Sequence, residues 1–505
     1  MFSKRASVPI ALGFVALLAV AANPAAAATC ESLSSLKLPD ATITMAQPVA
    51  AGAFTAPGGR GGGNPFTDLP AFCRVAATLT PTKESDIKIE VWLPASGWNG
   101  KFQAVGNGGW NGNIDTNALA TGLRRGYATA STDTGHQGGG GPWMQNREKL
   151  IDYGHRAVHE MTVKAKAIVN EFYGAPPKFS YFNGCSAGGR QGLVAAQRYP
   201  DDFDGIVAGA PALNATGRAA FSMWIAQNVH KDAASFIPAA KFPAINEAVL
   251  KACDAVDGVT DRLIENPQAC KFDPQVLACK EGDADTCLTP AQVATARTMY
   301  QPLVSAQTKE QIFPGLAYGS ELGWNTFGGQ QPFGIGAQMF QFMVFNDPKW
   351  DYKTLNFDSH WAQVAKIENG VINAQYTNLN PFFSSGGKLI QYHGWADPQI
   401  VAASSTEYYD RVLKTMGGLS SVTGNYRLFM VPGMAHCGGG TGTSTFDMLA
   451  ALEQWVEQNK APDSIAASRV VSGKTERTRP LCPYPQRAVY KGSGSIDEAA
   501  NFVCK

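Results

Sequence analysis

Residues 178–211 set the fold class. KFSYFNG (178–184) is apolar and aromatic enough for a buried strand, GGRQGLVAAQRYP (188–200) has helical spacing, and FDGIVAGAP (203–211) is a second apolar strand. A strand, a helix and a strand in so short a span join as a parallel crossover, with the helix packed on the sheet. The pattern begins upstream. GYATASTD (126–133) reads as a strand, and LIDYGHRAVHEMTVKAKAIVNEFYG (150–174) as a helix closing on glycine. DIKIEVWLP (86–94) and KFQAVGNGG (101–109) read as a strand pair ending in a glycine-rich loop. Strand patterns return at GGKLIQYHGWADP (386–398) and NYRLFMVPGMAHC (425–437), and FDMLAALEQWVEQNK (446–460) is an amphipathic helix.

From about 214 to 376 the alternation is lost, and the segment carries four cysteines and many aromatic residues. It reads as an inserted domain. The chain has 505 residues, 45% of them apolar and 16% charged, which suits a large core and exceeds one small domain. Its net charge is +1 and it has no long basic run, so neither nucleic acid nor an anionic membrane is an expected partner. The GGRGGGN (58–64) and GGGGP (138–142) runs lack the strand–turn–helix setting of a phosphate loop and read as surface loops.

At the N-terminus, Lys4 and Arg5 precede an apolar run from about Val8 to Ala22 and then alanines. This is the pattern of a secretory signal over 1–28, cleaved near Ala28, in a run too short for a membrane anchor. The expected location is therefore secreted or periplasmic. The expected layout is a signal (1–28), a first core segment (29–213), the insertion (214–376) and a second core segment (377–505). Export favours disulfides over zinc ligands for the ten cysteines. Proximity suggests Cys253–Cys270, Cys279–Cys287 and Cys482–Cys504, with Cys30–Cys73 closing the N-terminal region. Cys185 and Cys437 are left over, although spacing alone does not settle connectivity.

Ser186 stands in Gly184-Cys185-Ser186-Ala187-Gly188, between the strand and the helix, where a nucleophile elbow needs small neighbours. A serine hydroxyl needs a base to take its proton and a carboxylate to orient that base. Asp397 follows one C-terminal strand and His436 the next, so the order serine, acid, histidine is satisfied. His393 precedes the acid and reads as a hydrogen-bonded supporting residue. His155, His159 and His230 fall in helical stretches, His136 lies upstream in a strand loop, and His360 lies in the insertion. Ala187 is one expected oxyanion donor. Gly109, in GNGGW (106–110), is the other, though without the triad that loop reads equally well as a hairpin turn. A bridge between Cys185 and Cys437 would clamp the serine loop to the histidine loop.

GCSAGGRQG, HGWADP and PGMAHCGGG, with the cysteine layout, resemble the tannase and feruloyl esterase family, which also includes bacterial mono(2-hydroxyethyl) terephthalate hydrolase. The resemblance covers nearly the whole chain after the signal. It implies an α/β-hydrolase core with a mostly parallel sheet, a large lid inserted after the strand that follows the nucleophile, and five disulfides in the pairs above. It implies a serine esterase acting on small aromatic esters, feruloyl first, galloyl second and terephthalate monoester third, the substrate possibly attached to plant polysaccharide or polyphenol. A secreted peptidase and a non-catalytic carbohydrate-binding protein are the rivals.

The resemblance also implies a structural calcium ion held by Asp254, Asp257 and Asp261 with the carbonyls of Val259 and Leu263. From the residues alone, CDAVDGVTDRLI (253–264) reads equally as a solvated acidic turn. The aromatic residues of 319–351 are expected either to meet a phenolic acyl group or to pack the lid onto the core.

Overall fold

The computed structural model describes residues 1–2, 28–56 and 64–505. The expected signal segment therefore lies almost wholly outside the described residues, as does the glycine-rich run at 58–63. In chain order the first strands are β1 (Ala41–Val49), β2 (Phe72–Leu79), β3 (Ile87–Pro94), β4 (Lys101–Val105), β5 (Ala128–Thr132), β6 (Phe179–Cys185) and β7 (Gly205–Gly209). A small hairpin, β8 (Leu303–Val304) and β9 (Gln311–Phe313), lies inside the insertion, and β10 (Lys388–Gly394) and β11 (Tyr426–Val431) follow it.

All of these except β8 and β9 form one nine-stranded sheet in the order β1-β2-β3-β5-β4-β6-β7-β10-β11. The six strands from β5 to β11 pair in parallel, and β1, β2 and β3 extend the β5 edge antiparallel. The mostly parallel α/β-hydrolase sheet read from the sequence is present. One local expectation is corrected. β3 and β4 are not a pair, because β5 lies between them, hydrogen-bonded to both. The helix between β4 and β5 makes them a parallel crossover unit, so β5 takes the place beside β4 that a hairpin would have given β3.

Five helices flank the first seven strands: α1 (Thr116–Arg124), α2 (Arg147–Ile151), α3 (Ala157–Tyr173), α4 (Ala187–Arg198) and α5 (Ala215–Val229). Side chains alternate across the sheet. Phe182 and Ile206 join Met161 and Ile168 of α3 and Leu193 of α4 on one face. Their neighbours Tyr181 and Val207 face Leu449, Leu452 and Trp455 of the helix Met448–Gln458 on the other. Such a two-sided sheet needs strands apolar at every position, and the middle strands have that composition.

The expected helix over 150–174 is interrupted by a π-turn at Asp152–Arg156, which joins α2 to α3, and α3 ends on Gly174 with φ 70°. The insertion has an apolar core of its own, built around Phe221, Ile225, Ile245, Trp324, Phe327 and Phe340. Trp110, Met144 and Tyr153 of the main body join it. All ten cysteines are paired: Cys30–Cys73, Cys185–Cys437, Cys253–Cys270, Cys279–Cys287 and Cys482–Cys504. Among the described residues no helix is long and apolar enough to cross a membrane.

Candidate active site

β6 ends at Cys185 and α4 begins at Ala187, so Ser186 must turn the chain within one residue. Its backbone sits at φ 64°, ψ −121°, a region that costs a non-glycine residue about 1–3 kcal/mol. The turn is held by the Ser186 N–H, which donates to the Gly209 carbonyl at 2.9 Å, and by the Arg190 N–H, which donates to the Ser186 carbonyl at 3.0 Å. Glycine is required where α4 meets the strand ends. A Cβ on Gly106 would lie 2.5 Å from the Cα of Gly188, and one on Gly184 would lie 2.7 Å from the Gly188 carbonyl carbon.

Ser186 lines a cavity of about 560 Å³ together with Gly109, Arg218, Ile335, Gln399 and His436. A cavity of about 600 Å³ lies beyond the Trp395–Pro398 turn, but neither Ser186 nor His436 lines it. The chemistry therefore points to the first.

Asp397 and His436 meet at the C-terminal ends of β10 and β11, which are neighbours in the sheet. His436 Nδ1–H donates to Asp397 Oδ2 at 2.7 Å, which leaves Nε2 free to take a proton. Among the described residues no hydrogen bond joins the Ser186 hydroxyl to His436. Such contacts often tighten only around substrate. Asp397 is 1% exposed. Its Oδ1 accepts the N–H groups of Gln399 and Ile400 at 2.8 and 2.9 Å, and Oδ2 also faces His393 Nε2 at 3.2 Å.

Burial pushes the Asp397 pKa up, but the hydrogen bonds from His393 and His436 outweigh it and hold the carboxyl well below the usual range. A carboxylate so depressed contributes stability fully present above the unfolded value of about 4 and lost as pH falls below it. Across the neutral range Asp397 stays charged.

His393 is fully buried between Ser405, whose Oγ lies 2.7 Å from Nδ1, and the Ile400 carbonyl, 3.0 Å from Nε2. The carbonyl can only accept, so Nε2 carries the proton and Nδ1 accepts from Ser405. His393 thus braces the carboxylate from behind, the supporting position its place before the acid suggested. His136 stacks on Trp143 at 3.9 Å, His155 and His159 contact Tyr199, and His230 bonds Tyr352 and Gly329. His360 packs edge-on against Phe345 in the insertion.

Ala187 opens α4 beside Ser186, and as a first-turn residue its N–H has no partner within the helix. The glycine loop is fastened from three sides. Gln191 and Asn107 pair reciprocally, the Asn107 N–H donating to Gln191 Oε1 at 3.0 Å and Gln191 Nε2 to Asn107 Oδ1 at 3.1 Å. Tyr153 in the π-turn donates its hydroxyl to the Gly109 carbonyl at 2.8 Å, which fixes the tilt of that peptide. Trp110 Nε1 donates to the Ile335 carbonyl of the insertion at 3.0 Å. Asn107, Tyr153 and Gln191 are absent from a reading based on motifs.

Cys185 and Cys437 flank the serine and the histidine, with Cα atoms 6.0 Å apart. Cys437 Sγ lies 3.6 Å from His436 Nε2, so the bridge forms a wall of the site.

Elbow, histidine–carboxylate pair and bridged loops invite comparison with known proteins. A family model described as tannase and feruloyl esterase matches residues 73–505. The chain belongs to the tannase and feruloyl esterase family. An uncharacterised esterase of Xanthomonas campestris pv. campestris is 38% identical over 97% of this chain and 93% of its own. A probable feruloyl esterase B-1 of Aspergillus oryzae is 34% identical over 87% of this chain and 85% of its own. The crystal structure of feruloyl esterase B from Aspergillus oryzae superposes with a TM-score of 0.88 at 31% identity, covering 94% of this chain and 99% of that one. A tannin acyl hydrolase from Aspergillus niger shares the fold, with a TM-score of 0.76 at 22% identity and coverage of 93% and 92%. As a member of this family the chain is a carboxylic ester hydrolase.

The aromatic stretch 319–351 mostly packs on itself. Phe340, Phe345 and Trp350 stack on one another, Trp324 and Phe327 are buried, and of this stretch only Ile335 lines the Ser186 cavity. The packing alternative therefore accounts for most of these rings, which were needed to give the insertion a core.

In the acidic loop, Asp254 and Asp261 are buried and Asp257 is half-buried. Burial, then repulsion from neighbouring carboxylates, pushes Asp257 up, and Asp261 also lies above the usual range through burial, although Arg479 and Arg477 oppose the rise. No hydrogen bond reaches the buried carbonyls of Val259 and Leu263 among the described residues. Carbonyls without a protein donor, beside carboxylates that burial pushes up, fit a hard divalent cation. The carboxylates are not drawn within 4.8 Å of one another, and Arg479 pairs with Asp261.

Within the family's chemistry, Tyr153→Phe is expected to lower kcat for ester hydrolysis about tenfold with KM little changed. It frees the Gly109 carbonyl to turn while leaving the ring in place. Steady-state kinetics beside a thermal melt checks this, and an unchanged kcat refutes it.

Proposed function

We propose that the chain hydrolyses esters of small aromatic acids, hydroxycinnamoyl esters first, through Ser186, His436 and Asp397. The observation that carries this reading is the strained Ser186 elbow in one cavity with His436, whose far nitrogen is anchored on Asp397. Ser186 Oγ attacks the ester carbonyl carbon while its proton passes to His436 Nε2, and Asp397 stabilises the imidazolium. The carbonyl oxygen becomes an anion opposite the N–H groups of Ala187 and Gly109. Collapse expels the alcohol, which takes the proton from His436 and leaves an acyl-serine. Water then attacks the acyl carbon, His436 accepts its proton, and the free acid departs as the proton returns to Ser186.

Galloyl esters are the second substrate class in this reading and terephthalate monoesters the third. The natural ester is borne on plant polysaccharide or polyphenol. Residues 214–376 act as a lid over the cavity, and the enzyme works outside the cytoplasm, in the periplasm or beyond it. The deciding experiment measures kcat/KM on methyl ferulate, methyl gallate, a terephthalate monoester and a peptide panel. Turnover of the aromatic esters alone supports the reading, and peptide cleavage without ester turnover refutes it.

Calcium held by Asp254, Asp257, Asp261 and the carbonyls of Val259 and Leu263 is proposed as a structural ion. It would neutralise the loop's crowded carboxylates and tie it to the Cys253–Cys270 region. Chelation is expected to lower the melting temperature by several degrees, restored by added calcium, because an ion bound only to the folded state stabilises it by mass action. A melt indifferent to chelator, with no calcium found by elemental analysis, removes the proposal.

A further inference from the structure

Behind Asp397 a row of polar side chains crosses a face of the sheet that is otherwise apolar. Gln391 and His393, two residues apart on β10, point to the same face as Leu389 and, from β11, Tyr426 and Leu428. Ser405, on the helix Ala403–Met416, stands between them. Gln391, His393, Ser405 and Tyr426 are all fully buried, so their polar atoms must find partners within the protein.

The direction of every bond in this row follows from one end. His393 Nε2 faces only acceptors, the Asp397 carboxylate at 3.2 Å and the Ile400 carbonyl at 3.0 Å, so it carries a proton. In the neutral ring Nδ1 is then an acceptor, and Ser405 Oγ–H donates to it at 2.7 Å. With its one proton spent, Ser405 accepts from Gln391 Nε2 at 2.6 Å. That leaves Gln391 Oε1 for the Tyr426 hydroxyl, which donates at 2.5 Å. All of these donors point toward Asp397, and each bond polarises the next in the same sense. The acyl-transfer steps themselves use none of Ser405, Gln391 and Tyr426.

We propose that Ser405, Gln391 and Tyr426 are positioning residues that act through His393. Their chain keeps this ring neutral with its proton on Nε2, so Asp397 meets a neutral donor on one side and keeps its charge for His436 on the other. The proposal rests on the esterase reading of Ser186, Asp397 and His436. A charged ring at His393 would share the carboxylate as a second cation. It would thereby weaken the hold of Asp397 on the His436 imidazolium that forms as Ser186 is deprotonated.

Gln391→Glu tests the direction of the chain with little change of shape. A carboxylate there still accepts from Tyr426 but cannot donate, so the Ser405 hydroxyl turns to it. Ser405 then accepts from His393 Nδ1–H, and the ring takes a second proton. Ser405→Ala removes the link instead. Nitrogen-15 NMR of histidine-labelled protein reads both ring nitrogens, and the His393 pair is assigned by its absence from His393→Gln. The wild type is expected to show a bare Nδ1 and a protonated Nε2 at His393, and Gln391→Glu two protonated nitrogens. On methyl ferulate, well below the melting temperature, Ser405→Ala is expected to lower kcat about tenfold and Gln391→Glu by more. KM should change little in either, because the lost interaction strengthens only as His436 charges. Tyr426→Phe, at the far end, is expected to cost no more than about threefold.

A wild-type His393 with a protonated Nδ1 overturns the proposal whatever the kinetics. So does a folded Ser405→Ala that keeps the wild-type kcat, or a loss confined to KM or to the melting temperature. If Gln391→Glu does not fold, the wild-type spectrum and Ser405→Ala decide. A wild type that hydrolyses no aromatic ester removes the esterase reading, and the role of the chain with it. Turnover by the wild type with the wrong ring state leaves that reading standing and removes the chain alone.

Discussion

Ser186→Ala is expected to lower kcat on aromatic esters by about 10⁵-fold or more, to the residual rate that binding and oxyanion donors alone support. The size follows from the arrangement. Without Oγ there is no acyl-serine, and His436, held by Asp397 at 2.7 Å, has no hydroxyl to deprotonate. Alanine keeps the Cβ and the same backbone preferences, so it neither relieves nor adds strain at φ 64°. The melting temperature is therefore expected to move by no more than about 1–2 °C, consistent with a substitution away from the packed core. Burst kinetics should disappear with turnover. A variant that retains more than a hundredth of the wild-type rate rules out Ser186 as the nucleophile.

The second large effect concerns the bridge beside that serine. Cys185 and Cys437 are 252 residues apart, so their bond closes the whole insertion, with β7, β10 and β11 of the sheet, into one loop. Loop-closure arguments place the stabilisation from so long a loop at about 5 kcal/mol, an upper bound because denatured chains keep some structure. Replacing both cysteines by alanine is expected to cost several kcal/mol and to lower kcat more than tenfold even well below the melting temperature. The extra loss in rate reflects geometry. His436 stands on a loop whose next residue, Cys437, sits at φ 61°, and the bridge anchors that turn to the elbow. Denaturant melts and kinetics on the double variant separate the two effects. Full activity at low temperature in a destabilised variant shows that the bridge serves stability alone.

Much of this arrangement was legible in the sequence because the chemistry proposed for it needs particular residues at fixed places along the chain. A tight turn demands small residues, which exposed Ser186. The fold's order of strands placed Asp397 and His436 on adjacent loops. The cysteines that proximity left unpaired are bonded to each other. The sheet's order was harder to read. Pairing between β3 and β5 is non-local, so nothing in either strand's own residues announces it, and the short link from β3 to β4 misleads.

The Tyr153 hydroxyl and the Asn107–Gln191 pair were invisible for a related reason. Their roles depend on partners brought close only by folding, as with Tyr153 and Gly109, 44 residues apart. The aromatic stretch misled in the opposite way. Rings suited to a ligand are equally suited to a core, and the insertion's need for a core came first.

The hydrogen bond from Trp110 to the Ile335 carbonyl ties the glycine loop to a segment of the insertion that lines the cavity. Ile335 in turn touches Gly109 closely enough that a Cβ there would lie 3.4 Å from its Cδ1. In the proposed reading, a residue of the pocket wall and the glycine that would stabilise the developing charge thus share one joint. In directed evolution, changes near residue 335 made to admit a new acyl group should therefore alter turnover as well as preference. Breadth of substrate and speed will not be separately adjustable until that joint is redesigned.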